Sequence, residues 1–262
     1  MKKDIILNNI KDKEDKILVA KVLDLYEKTY MKDIISFTNF LDPRQLILIE
    51  SILKFNKIEY IKVKPYNDCD KCIILFLPSY LEYEMLDLND IYSAIKITIK
   101  NMQILKHKDY MGAIYNLGIT NESIGDIAVN KKGAIIFCTC KVADFILYNL
   151  SKVGRFEVEL KKEDVNKLTT LEKKYETKNI IVKSPRIDLV VSEISNISRS
   201  KITEKINAGE VFLNYKEEYY KSTVLAEGDV LSIRKVGKFK VNKFLGYTKK
   251  NNLQIEIKQY ID

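Results

Sequence analysis

The chain has 262 residues, of which 46% are hydrophobic, so it can form one large domain or two to three small ones with packed cores. Its 44 Lys and Arg against 36 Asp and Glu give a formal net charge of +8. The longest apolar run, CIILFL, is far shorter than the roughly 20 residues that span a bilayer. The charged N-terminus does not resemble a signal peptide. These features exclude an integral membrane protein, and we expect a soluble, cytoplasmic one.

Residues 1–69 are predicted to form a mainly helical α/β region. Apolar residues in LVAKVLDL recur with the i, i+4, i+7 spacing of an amphipathic helix. A second helix is predicted to begin at Asp42 as N-cap, with Pro43 at its first position. The alternating segment EYIKVK predicts a strand, and the turn-rich PYNDCD marks a domain boundary.

Residues 70–178 combine short strands with two helices, which predicts an α/β-plait of about 100 residues. The segments CIILFL, AIKITIK, DIAVN, GAIIFCTC and RFEVELK are expected to be strands. Helices are predicted at 108–118, ending at Gly118, and in VADFILYNLSKVG. The charged segment KKEDVNKLTTLEKKYETKN is expected to link or cap domains.

Residues 179–262 are predicted to contain two short helices followed by strands. Ser184 and Pro185 suit the N-cap and first position of the first helix. Ser198 can cap the second, which is expected to end at Gly209. On the second helix Lys201 and Lys205 are neighbours, near the positive end of the helix dipole. This arrangement suits a phosphate group, although solvent-exposed pairing with nearby Glu residues is the alternative.

Positive charge is concentrated in the last third of the chain. Residues 179–262 contain 15 Lys and Arg against 10 Asp and Glu, and residues 234–250 contain seven cations and no acid. Those seven cations are Arg234, Lys235, Lys238, Lys240, Lys243, Lys249 and Lys250. The run favours a nucleic-acid partner, with an ordinary solvated surface and an anionic membrane as alternatives.

Few residues suit catalysis or metal binding. CDKC and CTC could bind zinc or act in redox chemistry, but four unpaired thiols are the simpler interpretation. His107 is the only histidine, and no glycine motif for a dinucleotide or a nucleoside triphosphate is present. We therefore expect no catalytic residue, metal or cofactor, although a pair of carboxylates among the 36 acids cannot be identified by spacing.

The C-terminal third resembles the S4 RNA-binding domain. RIDLVVSEISNISRSKITEKINAGEVFLN, followed by AEGDVLSIR, matches the family pattern in identity and order. The matching residues are Arg186, Asp188, Ser198, Arg199, Ser200, Gly209, Val211, Asn214, Gly228, Asp229 and Arg234. The resemblance implies an αL-type RNA-binding fold in which Arg186, Arg199, Ser200, Lys201 and Lys205 contact structured RNA.

The whole chain resembles the YlmH family. HKDYMGAIYNLGITNESIGDIAV is similar to the family signature, and FLDPRQ and VGKFKVNKFLGYTKKNNLQIEIKQYI also match its pattern. The resemblance implies an α+β multidomain protein: an N-terminal region (1–69), an RRM-like middle domain (70–178) and an S4 domain (179–262).

The YlmH resemblance also implies a function. It points to a non-catalytic protein that binds rRNA of the large ribosomal subunit (50S) and tRNA or peptidyl-tRNA during rescue of stalled nascent chains, in ribosome-associated quality control. Two alternatives stay open. One is an RNA-modifying enzyme with an active site in the middle domain, and the other is an adaptor for cell-division or rescue-pathway proteins.

Overall fold

A computed structural model describes residues 3–67, 69–99, 105–130, 132–168 and 175–260. The chain is a mixed α+β protein that divides into two compact units, residues 1–172 (unit 1) and 173–262 (unit 2). Among the described residues no helix is both long and apolar enough to cross a membrane.

Seven α-helices are found in the described ranges. They are α1 (Lys3–Asn8), α2 (Lys13–Lys32), α3 (Pro43–Phe55), α4 (His107–Asn116), α5 (Cys140–Asn149), α6 (Ile187–Ser195) and α7 (Arg199–Asn207).

The strands form three antiparallel sheets. Those of unit 1 are β1 (Ser36–Phe37), β2 (Ile61–Val63), β3 (Ile73–Phe76), β4 (Tyr92–Ile99), β5 (Ile124–Asn130), β6 (Gly133–Thr139), β7 (Lys152–Val153) and β8 (Phe156–Glu163). Those of unit 2 are β9 (Tyr175–Val182), β10 (Val211–Leu213), β11 (Lys216–Glu217), β12 (Val230–Ile233), β13 (Gly237–Tyr247) and β14 (Leu253–Tyr260).

The N-terminal part of unit 1 packs α2 and α3 against a small sheet in the order β1-β3-β2. The predicted start of α3 is confirmed: the Asp42 carboxylate accepts from the Gln45 N–H at 2.8 Å, and the Gln45 side chain accepts from the Asp42 N–H at 3.0 Å. All four residues of β3 are buried because β3 is the central strand. This sheet therefore spans the boundary predicted at residues 69 and 70.

The second sheet of unit 1 has the order β5-β6-β4-β8-β7, with all neighbours antiparallel. Helix α4 follows β4 and helix α5 follows β6, so the chain order is β-α-β-β-α-β with the short β7 inserted before β8. Both helices pack on one face of the sheet, where Ile95 and Ile136 meet Tyr110, Ile114 and Ile146.

The sheet of unit 2 has six strands in the order β11-β10-β12-β13-β14-β9. Its inner face packs against α6 and α7, with Val190 and Ile206 buried among Leu231, Val241 and Ile255. Because side chains alternate along a strand, the residues between these buried positions lie on the outer face.

The first helix of unit 2 begins later than its sequence predicts. Its N-cap is Arg186 rather than Ser184, so the prediction that Pro185 occupies the first helical position is wrong. The segment before α6 is held extended by a neighbouring segment: the Ile187 N–H donates to the Thr223 carbonyl, and the Pro185 carbonyl accepts from Leu225. These bonds keep the backbone out of the helical conformation until Ile187.

Two other predictions of local structure require correction. Cys138 lies in β6, but Cys140 is the first residue of α5, so the strand predicted over GAIIFCTC ends one residue early. The ends of the predicted linker continue as strands, with β8 reaching Glu163 and β9 starting at Tyr175. The centre of that predicted linker, 169–174, lies outside the described residues.

Candidate nucleic-acid interface

A buried carboxylate organises the cationic end of the α6–α7 pair. Asp188 is fully buried and accepts from Arg186 through Nε and Nη2, both at 3.1 Å. It also accepts from Arg199 through Nε at 2.7 Å. The side chains of Arg186 and Arg199 stay 33% and 54% exposed. Asp188 therefore fixes both arginines while leaving part of each side chain open to solvent.

Helix α7 continues this surface away from Arg199. Ser200 and Lys201 are exposed, and Lys201 makes no ion pair with any residue that the structure describes. Lys205 is half-buried and pairs with Glu210 at 2.5 Å, so part of its charge is already neutralised. More of the positive charge that is not neutralised by a carboxylate therefore lies in the N-terminal half of this helix.

Gly209 ends α7 as predicted, with φ of +67°. Its N–H donates to the Ile206 carbonyl at 3.0 Å, and the Glu210 N–H donates to the Lys205 carbonyl at 2.9 Å. This pair of bonds is the Schellman motif, which favours glycine at the left-handed position. The chain can then enter β10 directly, which holds the helix against the sheet.

The turn between β12 and β13 lies beside the C-terminal end of α7. The Arg234 N–H donates to the Glu210 carbonyl at 2.9 Å, and the side chains of Arg234 and Lys235 are exposed. The hydrogen bond from Lys205, together with the charges of Arg234 and Lys235, lowers the pKa of the Glu210 carboxyl. A nine-residue helix is about 13 Å long, so the cations of α7 and this turn form a stripe of about that length.

The remaining predicted cations lie away from this stripe. Lys238 and Lys240 project from the outer face of the sheet, since Phe239 between them is buried. The ammonium group of Lys238 donates to the Tyr215 hydroxyl at 3.1 Å and lies 4.7 Å from the ring centres of Tyr215 and Tyr260. This contact with two rings fixes Lys238 by cation–π attraction.

Strand β13 separates the two ends of the acid-free run. Lys249 and Lys250 are exposed in the turn after β13, and Lys243 on the strand lies opposite Glu256 of β14. The strand has 11 residues of about 3.3 Å each, so up to roughly 35 Å of extended chain separates this turn from the one at Arg234. The predicted RNA contacts therefore do not form one patch in unit 2.

In unit 1 the sheet face opposite α4 and α5 is covered. Tyr92 on β4 and Phe137 on β6 lie on this face and are 2% and 0% exposed. The Phe40 ring meets Tyr92 at 6.2 Å, and the Tyr66 ring meets Phe137 at 5.7 Å between ring centres. These aromatic side chains cannot stack on a base because the N-terminal region already packs on them.

The approach of the N-terminal region to this sheet is close. A Cβ atom added to Gly125 would lie 2.5 Å from the Phe40 ring, so only glycine fits at that position. Tyr66 donates a hydrogen bond to the carboxylate of Asp126 on β5. Burial, the charge of Asp126 and this bond raise the pKa of Tyr66. The N-terminal region and the sheet thus share one core, which also contains Ile73, Leu75 and Ile135.

The candidate groups for chemistry are held in structural contacts. His107 Nε2 lies 4.0 Å from the Asp126 carboxylate, at the first position of α4. Burial raises the pKa of Cys72 to about 11 and that of Cys138 to about 12, so both thiols are protonated near neutral pH. Within the described part of the chain no three residues among His, Cys, Asp and Glu form a cluster that could hold a metal ion.

Sequence reasoning identified the cations of α7 but assigned Arg186 and Arg199 only to RNA. Their second role, as hydrogen-bond donors to a buried carboxylate, depends on Asp188. The S4 pattern includes this residue, but no spacing rule indicates that it is buried. The closure of the sheet face was also missed. The signal for it is the aromatic and apolar character of Phe40, Tyr66 and β3, whose side chains need a core to pack in.

Comparison with known proteins gives three findings. Residues 87–167 match the model of a family described as a putative RNA-binding domain in YlmH. The ribosome-associated protein quality control protein P2 of Bacillus subtilis is 25% identical over 243 residues, covering 93% of this chain and 94% of that protein. The cell division protein YlmH from Streptococcus pneumoniae aligns with a TM-score of 0.47 and 20% identity, over 62% of this chain and 98% of its own. The family match and the curated relative confirm that this chain resembles the YlmH family.

Proposed function

We propose that this protein is a non-catalytic RNA-binding component of ribosome-associated quality control. The family match to a putative RNA-binding domain and the ribosome-associated relative support the general role. The proposed target is rRNA of the large ribosomal subunit together with tRNA or peptidyl-tRNA on a stalled particle. The strand order of unit 1 supports an RRM-like plait, and the α6–α7 pair on the sheet of unit 2 supports an S4 domain.

One observation carries this proposal: the buried Asp188 holds the partly exposed side chains of Arg186 and Arg199 at the start of α7, whose first turn also exposes Lys201. Guanidinium groups bind phosphate oxygens with paired hydrogen bonds, and a fixed geometry reduces the entropy that binding must overcome. Arg234 and Lys235 extend the same surface beyond Gly209. The length of this stripe suits several successive phosphates of a folded RNA, read by shape more than by sequence.

The test should change cations that do not support the fold. Arg199 holds a buried carboxylate, so its replacement would confuse stability with binding. The informative variant is Lys201→Gln/Arg234→Gln. Its matched control, Lys178→Gln/Lys258→Gln, makes the same change in net charge on β9 and β14, away from α7.

Binding would be measured as co-sedimentation with large ribosomal subunits across a series of salt concentrations. Removal of two phosphate contacts should weaken binding and lower the slope of log K against log salt by about 1.4 to 1.8, while the control changes little. Equal loss in the two variants would indicate general charge attraction and would contradict the proposed surface.

A further inference from the structure

Unit 1 contains an open groove on the helix side of its large sheet. One wall is a face of α4 that includes Lys108, Gly112 and Asn116. The other is formed by the end of α5 and the segment after it, from Asn149 to Gly154. The groove has a volume of about 440 Å³, and a Cβ atom added to Gly112 or Gly154 would meet nothing within 4 Å.

The groove carries positive charge on both walls. Lys108 and Lys152 are exposed, and neither makes an ion pair with any described residue. Asp109 is the acid in the lining, and its carboxylate accepts from the Lys106 backbone N–H at 2.8 Å. Glu157 lies opposite Lys152 on the neighbouring strand. Two ammonium groups on separate walls complement a chain of phosphates better than a single anion.

Aromatic side chains lie close to the same groove in sequence. Tyr148, which precedes Asn149 on the last turn of α5, exposes 89% of its surface, and Phe145 exposes 47%. Exposed rings combined with a cationic groove are the usual equipment for binding single-stranded nucleic acid, because bases stack on the rings while cations follow the backbone. The opposite face of the sheet offers no such rings, since Tyr92 and Phe137 are buried.

We propose that unit 1 binds single-stranded RNA in the groove between α4 and the 149–154 segment, and not on the face of its sheet. The inference rests on the proposed RNA-binding function and assigns that function a second surface, separate from α7. The occupant is a short stretch of unpaired nucleotides whose phosphates contact Lys108 and Lys152. The amide side chain of Asn116 is then available to base edges, whereas the Asn149 NH2 group donates to the Phe145 carbonyl at 2.8 Å.

The experiment compares two double variants of the full chain. Lys108→Gln/Lys152→Gln removes the groove cations, and Lys96→Gln/Lys161→Gln removes two exposed lysines that are register partners on the sheet face. Binding of a labelled oligouridine about ten nucleotides long would be followed by fluorescence anisotropy at several salt concentrations. Tyr148→Ala tests stacking separately.

The groove variant should lower the slope of log K against log salt by about 1.4, because each phosphate contact with a single strand contributes about 0.7. Tyr148→Ala should weaken binding by at least about fivefold with an unchanged slope. An unchanged groove variant, or a larger loss in the sheet-face variant, would overturn the inference. Absence of oligouridine binding by the unaltered chain would also overturn it. Failure of the proposed function is distinguishable, because it would appear as the absence of salt-dependent co-sedimentation with large ribosomal subunits.

Discussion

Replacement of Asp188 by Asn tests whether this carboxylate holds the cationic surface in place. The change keeps the shape of the side chain and removes its charge, so both arginines lose a charged acceptor. Asp188 is fully buried, whereas Arg186 and Arg199 are partly exposed. Water can therefore replace some of the hydrogen bonds that the arginines lose. It cannot solvate the buried side-chain amide of the introduced Asn equally well.

The expected loss of stability follows from these contacts. A hydrogen bond to a charged group contributes about 1.5–3 kcal/mol, and two guanidinium groups bond Asp188. Because the arginines are partly solvated, we take the lower part of the combined range and expect a loss of about 3 kcal/mol. That loss corresponds to opening of the α6–α7 pair on the order of a hundred times more often.

Hydrogen exchange read by mass spectrometry can measure this effect in the full chain. Peptides from α6 and α7 should exchange on the order of a hundredfold faster in Asp188→Asn, while peptides of unit 1 serve as an internal reference. Glu193→Gln, on the exposed side of α6, is the matched control and should change little. Unchanged exchange in α6 and α7 would refute the role given to Asp188. Strict additivity of Asp188→Asn with Arg199→Gln would refute it too, because groups in contact couple.

Two further predictions concern a helix end and an acidic network. Gly209→Ala should lower the melting temperature of unit 2 by about 5–10 °C in calorimetry, because an alanine at positive φ costs about 1–2 kcal/mol. Its Cβ would also lie 3.0 Å from the Tyr219 hydroxyl, whereas Gly112→Ala, with open space, should not destabilise; equal shifts would contradict this. The hydrogen bonds from Asn89 and Lys167 lower the pKa of Asp164 to about 2, so its contribution to stability is present above the ordinary value of 3.8 and is lost as the pH falls through about 2. In acid denaturation, the difference in stability between the unaltered chain and Asp164→Asn should therefore narrow as the pH falls from 3.8 to about 2. A constant difference would disprove the stabilising role given to Asp164.

Local sequence signals predicted the ends of helices where the signal acts within a few residues. Asp42 and Gln45 form their capping box without help from the rest of the chain, and Gly209 supplies a backbone conformation that other residues adopt with strain. The same reasoning failed at Ser184 and Pro185. There the backbone is bound by residues 223–225, which no local pattern brings together.

The arrangement of the candidate sites depended on long-range contacts and could not be predicted. The run of cations forms an extended strand, so its two ends are far apart. Arg234 and Lys250 therefore do not contact the same phosphate group. Asp188 looks like any acid in the first turn of a helix until its burial is known. The apolar faces of β4 and β6 predicted a core, but which segment covers each face followed only from the fold.

The covered face of the large sheet also has a consequence for the order in which unit 1 can fold during its own synthesis. Tyr66 bonds Asp126, which is 60 residues further along the chain, and Phe40 packs against Tyr92 and Gly125. At ~5–20 residues per second, ~3–12 s pass between the synthesis of Tyr66 and that of Asp126. Throughout that interval the apolar side chains of the N-terminal region lack part of the sheet that buries them, so a nascent chain stopped before β6 would keep Tyr66 without Phe137, its aromatic partner in that core.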